Sequence, residues 1–252
     1  MLLRRIVPLF TCAAFALFIQ SASAALVNWD VLTWTPGTLS NSYDVDPSRP
    51  GSDVTFTITT SKMNFTNDKA TGTFTPAITM SLQGGVSPLQ KSLQLVGDLG
   101  TNSKVTMTVG FSSLYTLGVN NVSFSIFDID VETNRDVISG IFGIAMDGSK
   151  VAPKITYGSA ISSSGGGQGQ TLTGIAGSAD SGPTSGAGTA TISFGATPIK
   201  GFAFMWSNSN GSPFYQQIAL GDISFSLVPE ANAASLAFAV CFLAALIRNG
   251  RR

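Results

Sequence analysis

The 252-residue chain has no histidine, and its only two cysteines, Cys12 and Cys241, lie inside long apolar stretches. The missing histidine excludes histidine-based catalytic triads and ordinary zinc sites. Between residues 25 and 230 there is no cysteine either, so that region has no thiol nucleophile and no disulfide. Charge is scarce as well. Charged side chains make up 11% of the chain, so Ser, Thr, Asn, Gln and Gly must cover most of the exterior. Between residues 25 and 230, fourteen acidic residues stand against nine basic ones, a balance of −5. No basic patch can neutralise phosphates there, which argues against nucleic acid as a partner. A nucleophile elbow, a phosphate loop and a dinucleotide fingerprint are all absent, since Gly165-Gly166-Gly167 follows no strand-to-helix transition. No segment from Ala25 to Val228 has a helical period.

What the chain does have is two apolar ends. Arg4 and Arg5 precede an apolar run from Ile6 to Ile19, and Ala22-Ser23-Ala24 supplies small residues for cleavage. Residues 1–24 therefore read as a secretory signal peptide cut between Ala24 and Ala25. At the other end, Val228-Pro229-Glu230 opens an apolar run, 231–247, closed by Arg248, Arg251 and Arg252. As a helix this run would span roughly 25 Å, enough for a single transmembrane helix, with the arginines on the cytoplasmic side. Residues 25–228 then form an ectodomain outside the cytoplasm, large enough to bury a core without disulfides.

The tail, 229–252, resembles the PEP-CTERM sorting signal of Gram-negative bacteria, in which a Pro-Glu-Pro motif precedes one membrane helix and an arginine-rich end. Pro229 and Glu230 match, while Ala231 stands where the family has its second proline. The resemblance implies an exosortase-type processing enzyme as partner. It also implies an exported protein, tethered to the inner membrane during sorting and then held at the cell surface or in the extracellular matrix. The departure at Ala231 bears on cutting, not on delivery to the membrane.

The ectodomain reads as β throughout. Val54, Phe56 and Ile58 alternate with Thr55, Thr57 and Thr59; Val105, Met107, Val109 and Phe111 alternate with Thr106, Thr108 and Gly110; Ile223, Phe225 and Leu227 alternate with serines and Val228. This is the period of half-buried strands. Shorter runs fall at 78–82, 137–146, 189–194 and 199–206, and turn residues such as Asp46-Pro47, Gly84-Gly85, Asp147-Gly148 and Asn210-Gly211 punctuate them. Roughly nine to eleven strands are expected, in an all-β antiparallel sandwich of jelly-roll type. Residues 158–190 are rich in Gly, Ser and Thr and read as a long surface excursion, with a short strand inside it near 170–176.

The segment V-S-F-S-I-F-D-I-D-V-E-T-N-R-D, 122–136, carries the strongest chemical signal. If its strand continues, Asp128 and Asp130 sit about 7 Å apart among apolar neighbours. Burying them would require a partner. A calcium ion held by Asp128, Asp130 and Asp136 is one candidate, and Arg135 is another. Alternatively, the strand stops at Phe127 and the aspartates reach solvent. An EF-hand is excluded, because Thr133 takes the place of the turn glycine and Ser139 that of the bidentate glutamate. The same segment is similar to one found in extracellular bacterial β-sandwich proteins, many with PEP-CTERM tails: Asp-Ile-Asp, then Arg135-Asp136, Asp147-Gly148 and Val151-Ala152-Pro153. That resemblance implies fold and setting more than activity.

Trp206 followed by Ser207-Asn208 places an aromatic ring beside an amide, so Trp206 and Asn208 are candidate sugar-binding residues. Asp128 and Asp130 on one strand are a poor acid/nucleophile pair for glycoside hydrolysis. The expectation is a non-catalytic surface or matrix protein with a structural or adhesive role beside exopolysaccharide. A carbohydrate-binding module is the alternative, and a glycoside hydrolase a remote one.

Overall fold

The computed structural model describes residues 24–131, 134–175, 185–209 and 214–229. Residues 1–23, which carry most of the expected signal peptide, Glu230, the apolar run 231–247 and Arg248, Arg251 and Arg252 lie outside the described residues. No helix among the described residues is long and apolar enough to cross a membrane.

The unit Ala24–Val228 is, in its described residues, all-β and antiparallel. Its first eight strands are β1 (Ala24–Val27), β2 (Ser40–Tyr43), β3 (Val54–Ser61), β4 (Ala77–Thr79), β5 (Ser92–Asp98), β6 (Lys104–Phe111), β7 (Val119–Phe127) and β8 (Asp136–Ala145). Seven more follow: β9 (Lys150–Val151), β10 (Lys154–Tyr157), β11 (Ile161–Ser164), β12 (Thr171–Gly174), β13 (Ala190–Ser193), β14 (Ile199–Asn208) and β15 (Tyr215–Leu227). The sequence undercounts them. Strands of four residues or fewer are too short to show a period, and β5 is buried on both faces, so it does not alternate.

Hydrogen bonding divides the strands into two layers. One runs β2-β3-β6-β14-β8-β12-β11, with β9 returning on β8; the other runs β10-β13-β7-β15-β5-β4. Strand β15 is long enough to pair along one edge with both β5 and β1, at Tyr215–Leu220 and Ile223–Ser226 respectively. The layers are continuous through a single pairing, Ile199 with Val119, so the sheet curls on itself in the jelly-roll manner.

Alternation dictates the interior. In β3, Val54, Phe56 and Ile58 are buried while Thr55, Thr57 and Thr59 face solvent. Burying each such side chain contributes about 1.5–3 kcal/mol. Between the layers, Phe124 of β7 stacks on Phe202 of β14, with centroids 4.3 Å apart, and Phe111 of β6 meets Phe225 of β15 at 4.9 Å. Gly201 sits where β14 crosses β6, and a Cβ there would lie 2.6 Å from the Val109 carbonyl.

The 158–190 segment is less of an excursion than expected. It carries β11, a 3-10 turn at Gly167–Gly169 and β12, which pairs with β8, before the chain returns to the sheet at β13. Residues 176–184 within it lie outside the described residues.

Candidate functional site

Strand β7 stops at Phe127, because Asp128 takes a left-handed conformation, φ +66°. Such a φ is uncommon outside glycine but accessible to aspartate. The aspartates nevertheless do not reach solvent. Asp128, Asp130 and Asp136 are 7%, 5% and 4% exposed. The intervening chain folds back on itself: the Ile129 amide donates to the Gly188 carbonyl (2.9 Å), the Asp136 amide donates to the Asp130 carbonyl (3.1 Å), and Val131 bridges Arg135. Gly174 of β12 presses on this loop so closely that a Cβ would run into the Asp130 carbonyl.

The three aspartates line one small cleft of about 40 Å³, together with Asn134, Tyr215, Gln216 and Gln217. It lies where β7 ends and β8 and β15 begin. A cleft this size holds a water or two, or one hydroxyl-bearing group.

Asp136 forms its floor. One carboxylate oxygen accepts hydrogen bonds from Trp206 Nε1 (2.8 Å) and Gln216 Nε2 (3.1 Å), and the other accepts from the Asp130 amide (3.5 Å). Burial pushes its pKa well above the usual carboxylate range, and the charges of Asp128 and Asp130 add to the rise, against the Trp206 hydrogen bond. Gln216 is 6% exposed, and its Oε1 is buried with no hydrogen-bond partner.

The rim is ordered by a polar chain. The Tyr215 hydroxyl donates to Gln217 Oε1 (3.2 Å) and accepts from the Lys69 amide (3.1 Å). Gln94 Nε2 donates to the same glutamine oxygen (3.3 Å), and Gln94 Oε1 accepts from the Thr79 hydroxyl (2.7 Å). Lys69 Nζ lies 3.8 Å from the centre of the Tyr215 ring, a cation–π contact.

The structure thus brings Asp128, Asp130 and Asp136 together, but it corrects the reading of Trp206. Trp206 is wholly buried, since β14 places it inside the sandwich, and its indole supports Asp136 instead of meeting a sugar. Asn208 Nδ2 is tied to the Leu99 carbonyl (2.7 Å). Arg135 Nε is buried without a hydrogen-bond partner, and the ion pair found among the described residues joins Arg49 to Asp46 instead, at 3.9 Å. The oxygens suit a hard cation in kind. Yet Asp136 is already engaged by three donors, and among the described residues no group of three acidic, histidine or cysteine side chains is arranged to hold a metal. These residues do not fit a calcium shell as they stand. Asp46 and Asp222 join no such group either: Asp46 caps Ser48 and Asp222 accepts from the Trp29 amide (2.9 Å).

Sequence reasoning missed Gln216 and Gln217. A signal was present: consecutive strand residues point to opposite faces, so one of two adjacent glutamines at the head of β15 has to turn inward and find partners.

No family model matches the chain, and no curated protein matches it. Among solved structures it is similar to the family 11 carbohydrate-binding module of the cellulosomal cellulase Lic26A-Cel5E of Clostridium thermocellum. Identity is 10% and the TM-score 0.33, with 84% of this chain and 99% of that chain covered. The CBM22-1 xylan-binding domain of Paenibacillus barcinonensis Xyn10C is 10% identical at a TM-score of 0.27, covering 69% of this chain and 87% of its own. The mannan-recognising module TmCBM27 is 11% identical at a TM-score of 0.30, covering 68% and 99%.

Proposed function

We propose that this chain is an exported, non-catalytic surface protein whose cleft binds a hydroxyl-rich ligand, the hydroxyls of an extracellular polysaccharide. One observation carries the reading: a cleft lined by three carboxylates, three carboxamides and a tyrosine, with the buried Gln216 Oε1 lacking a donor. Carboxylates accept hydrogen bonds from sugar hydroxyls, carboxamides both accept and donate, and a ligand hydroxyl would supply the donor that Gln216 lacks. Asp128 and Asp130 come from the loop between β7 and β8, and Asp136, which opens β8, is consumed by internal hydrogen bonds. Such a set lacks the pair of carboxylates facing each other across a bond that hydrolysis requires. Export, sorting at Pro229-Glu230 by an exosortase-type enzyme and residence at the envelope complete the reading; they rest on the sequence of the two ends.

A glycan array tests it. Wild-type protein is expected to retain a polysaccharide, and Gln217→Ala or Asp128→Ala to weaken binding about tenfold, the cost of one hydrogen bond. Melting should change little in Gln217→Ala. Undiminished binding by both variants would remove the cleft from the argument, and a wild type that retains no glycan would end the proposal. Repeating the array with a chelator separates direct contact from ion-mediated contact: full loss of binding would assign the cleft to a cation.

A further inference from the structure

The cleft beside Asp136 is rich in hydrogen-bond acceptors, and Gln216 fixes that pattern. The Asp136 oxygen that Gln216 approaches already accepts from Trp206 Nε1 (2.8 Å), so Gln216 has to present its amide nitrogen there, at 3.1 Å. This holds whether or not the other Asp136 oxygen carries a proton. Gln216 Oε1 is thereby turned away from Asp136. It is buried without a donor, on a side chain only 6% exposed that lines the cleft.

The rest of the lining adds acceptors. Asp128 and Asp130 offer only acceptors when ionised. The Tyr215 hydroxyl spends its proton on Gln217 Oε1 (3.2 Å), which also accepts from Gln94 Nε2 (3.3 Å). Among the described residues no lysine or arginine lines the cleft, and Lys69 Nζ stands over the Tyr215 ring, 3.8 Å from its centre.

A ligand hydroxyl supplies the one donor that Gln216 Oε1 lacks, but it turns its own lone pairs toward the carboxylates. A protonated primary amine brings three donors, no acceptor and a positive charge. Its hydrogen bonds to carboxylates are about twice as strong as those between neutral groups. Its head is the size of the water that a cleft of about 40 Å³ admits. An acetamido group is bulkier, keeps a single N–H and puts a carbonyl oxygen among the carboxylates.

We infer that the group this cleft takes is a protonated primary amine, and that its polysaccharide is built of hexosamine units with free amino groups. The inference rests on the proposed reading of the cleft as a polysaccharide site.

The test titrates the full chain in detergent, in about 0.15 M salt to screen exposed charges. The probes are β-linked tetramers of glucosamine, N-acetylglucosamine and glucose, with tetralysine beside them. The glucosamine tetramer is expected to bind about tenfold more tightly than the other two sugars, the worth of a charge-assisted hydrogen bond over a neutral one. Asp128→Asn should erase that preference, and asparagine readily adopts the left-handed backbone of this position. Asp147→Asn removes the same charge from the exposed turn between β8 and β9 and should keep the preference. Glucose or N-acetylglucosamine bound as tightly as glucosamine would overturn the amine and leave the polysaccharide reading standing. So would a chain that ignores all three tetramers yet retains another glycan on the array. Equal loss in both variants, or tetralysine bound as tightly as the sugar, would reduce the effect to general charge and overturn the inference as well. A chain that retains no glycan at all overturns it together with the reading beneath it.

Discussion

Asp136 is a buried carboxylate whose hydrogen bonds come from a tryptophan in the core and a glutamine in the cleft. Two expectations follow at this scale. Trp206→Phe keeps most of the ring volume and removes one hydrogen-bond donor from a buried acceptor, so it should cost about 1–2 kcal/mol in urea denaturation. Because the raised pKa means that folded protein holds this proton more tightly than unfolded chain, its stabilising share is full below about pH 4 and lost as pH rises through the raised value. Asp136→Asn should therefore gain on wild type from acid to neutral pH when urea midpoints are compared; a difference that stays constant with pH would refute the titration. The sequence showed that three aspartates sit near one another in a β protein. It did not show that the strand breaks at Asp128, because a left-handed aspartate leaves no mark in an apolar pattern. Nor did it show that Trp206 faces inward, since an aromatic beside polar residues reads the same at a rim as at a strand end.

At the scale of elements, long alternating strands were legible and short ones were not. β3, β6 and the second half of β15 carry two or more full periods, and their boundaries agree with the pattern. β11 and β12, in serine- and glycine-rich chain, form because they complete an edge beside β8, which is a tertiary cause. Edge and cleft are mechanically joined at Gly174. Gly174→Ala should displace the 128–136 loop, weakening glycan retention in the array and lowering thermal stability together. Gly110→Ala, whose Cβ meets nothing within 4 Å, is the control expected to do neither. The paired glutamines of β15 make the complementary point: one of them was bound to be buried, but only the assembled sheet says that Asp136 receives it.

At the scale of the whole molecule, β15 lies between β7 on one side and β5 and β1 on the other. Its pairing with β1 joins residues nearly the full described chain apart, a contact of very high sequence separation. Removing residues from 215 onward should therefore leave no cooperative melting transition, whereas ending the chain after Pro229 should preserve one, as differential scanning calorimetry would read it. That order has a temporal meaning. A chain that emerges N-terminus first, from a ribosome or through a translocation channel, exposes β1, β5 and β7 long before the strand that unites them. It cannot close until Leu227 is out, two residues short of Pro229. The strand thus works as a clock: however early the other strands emerge, the fold is completed only when the last residues before Pro229 are free to pair.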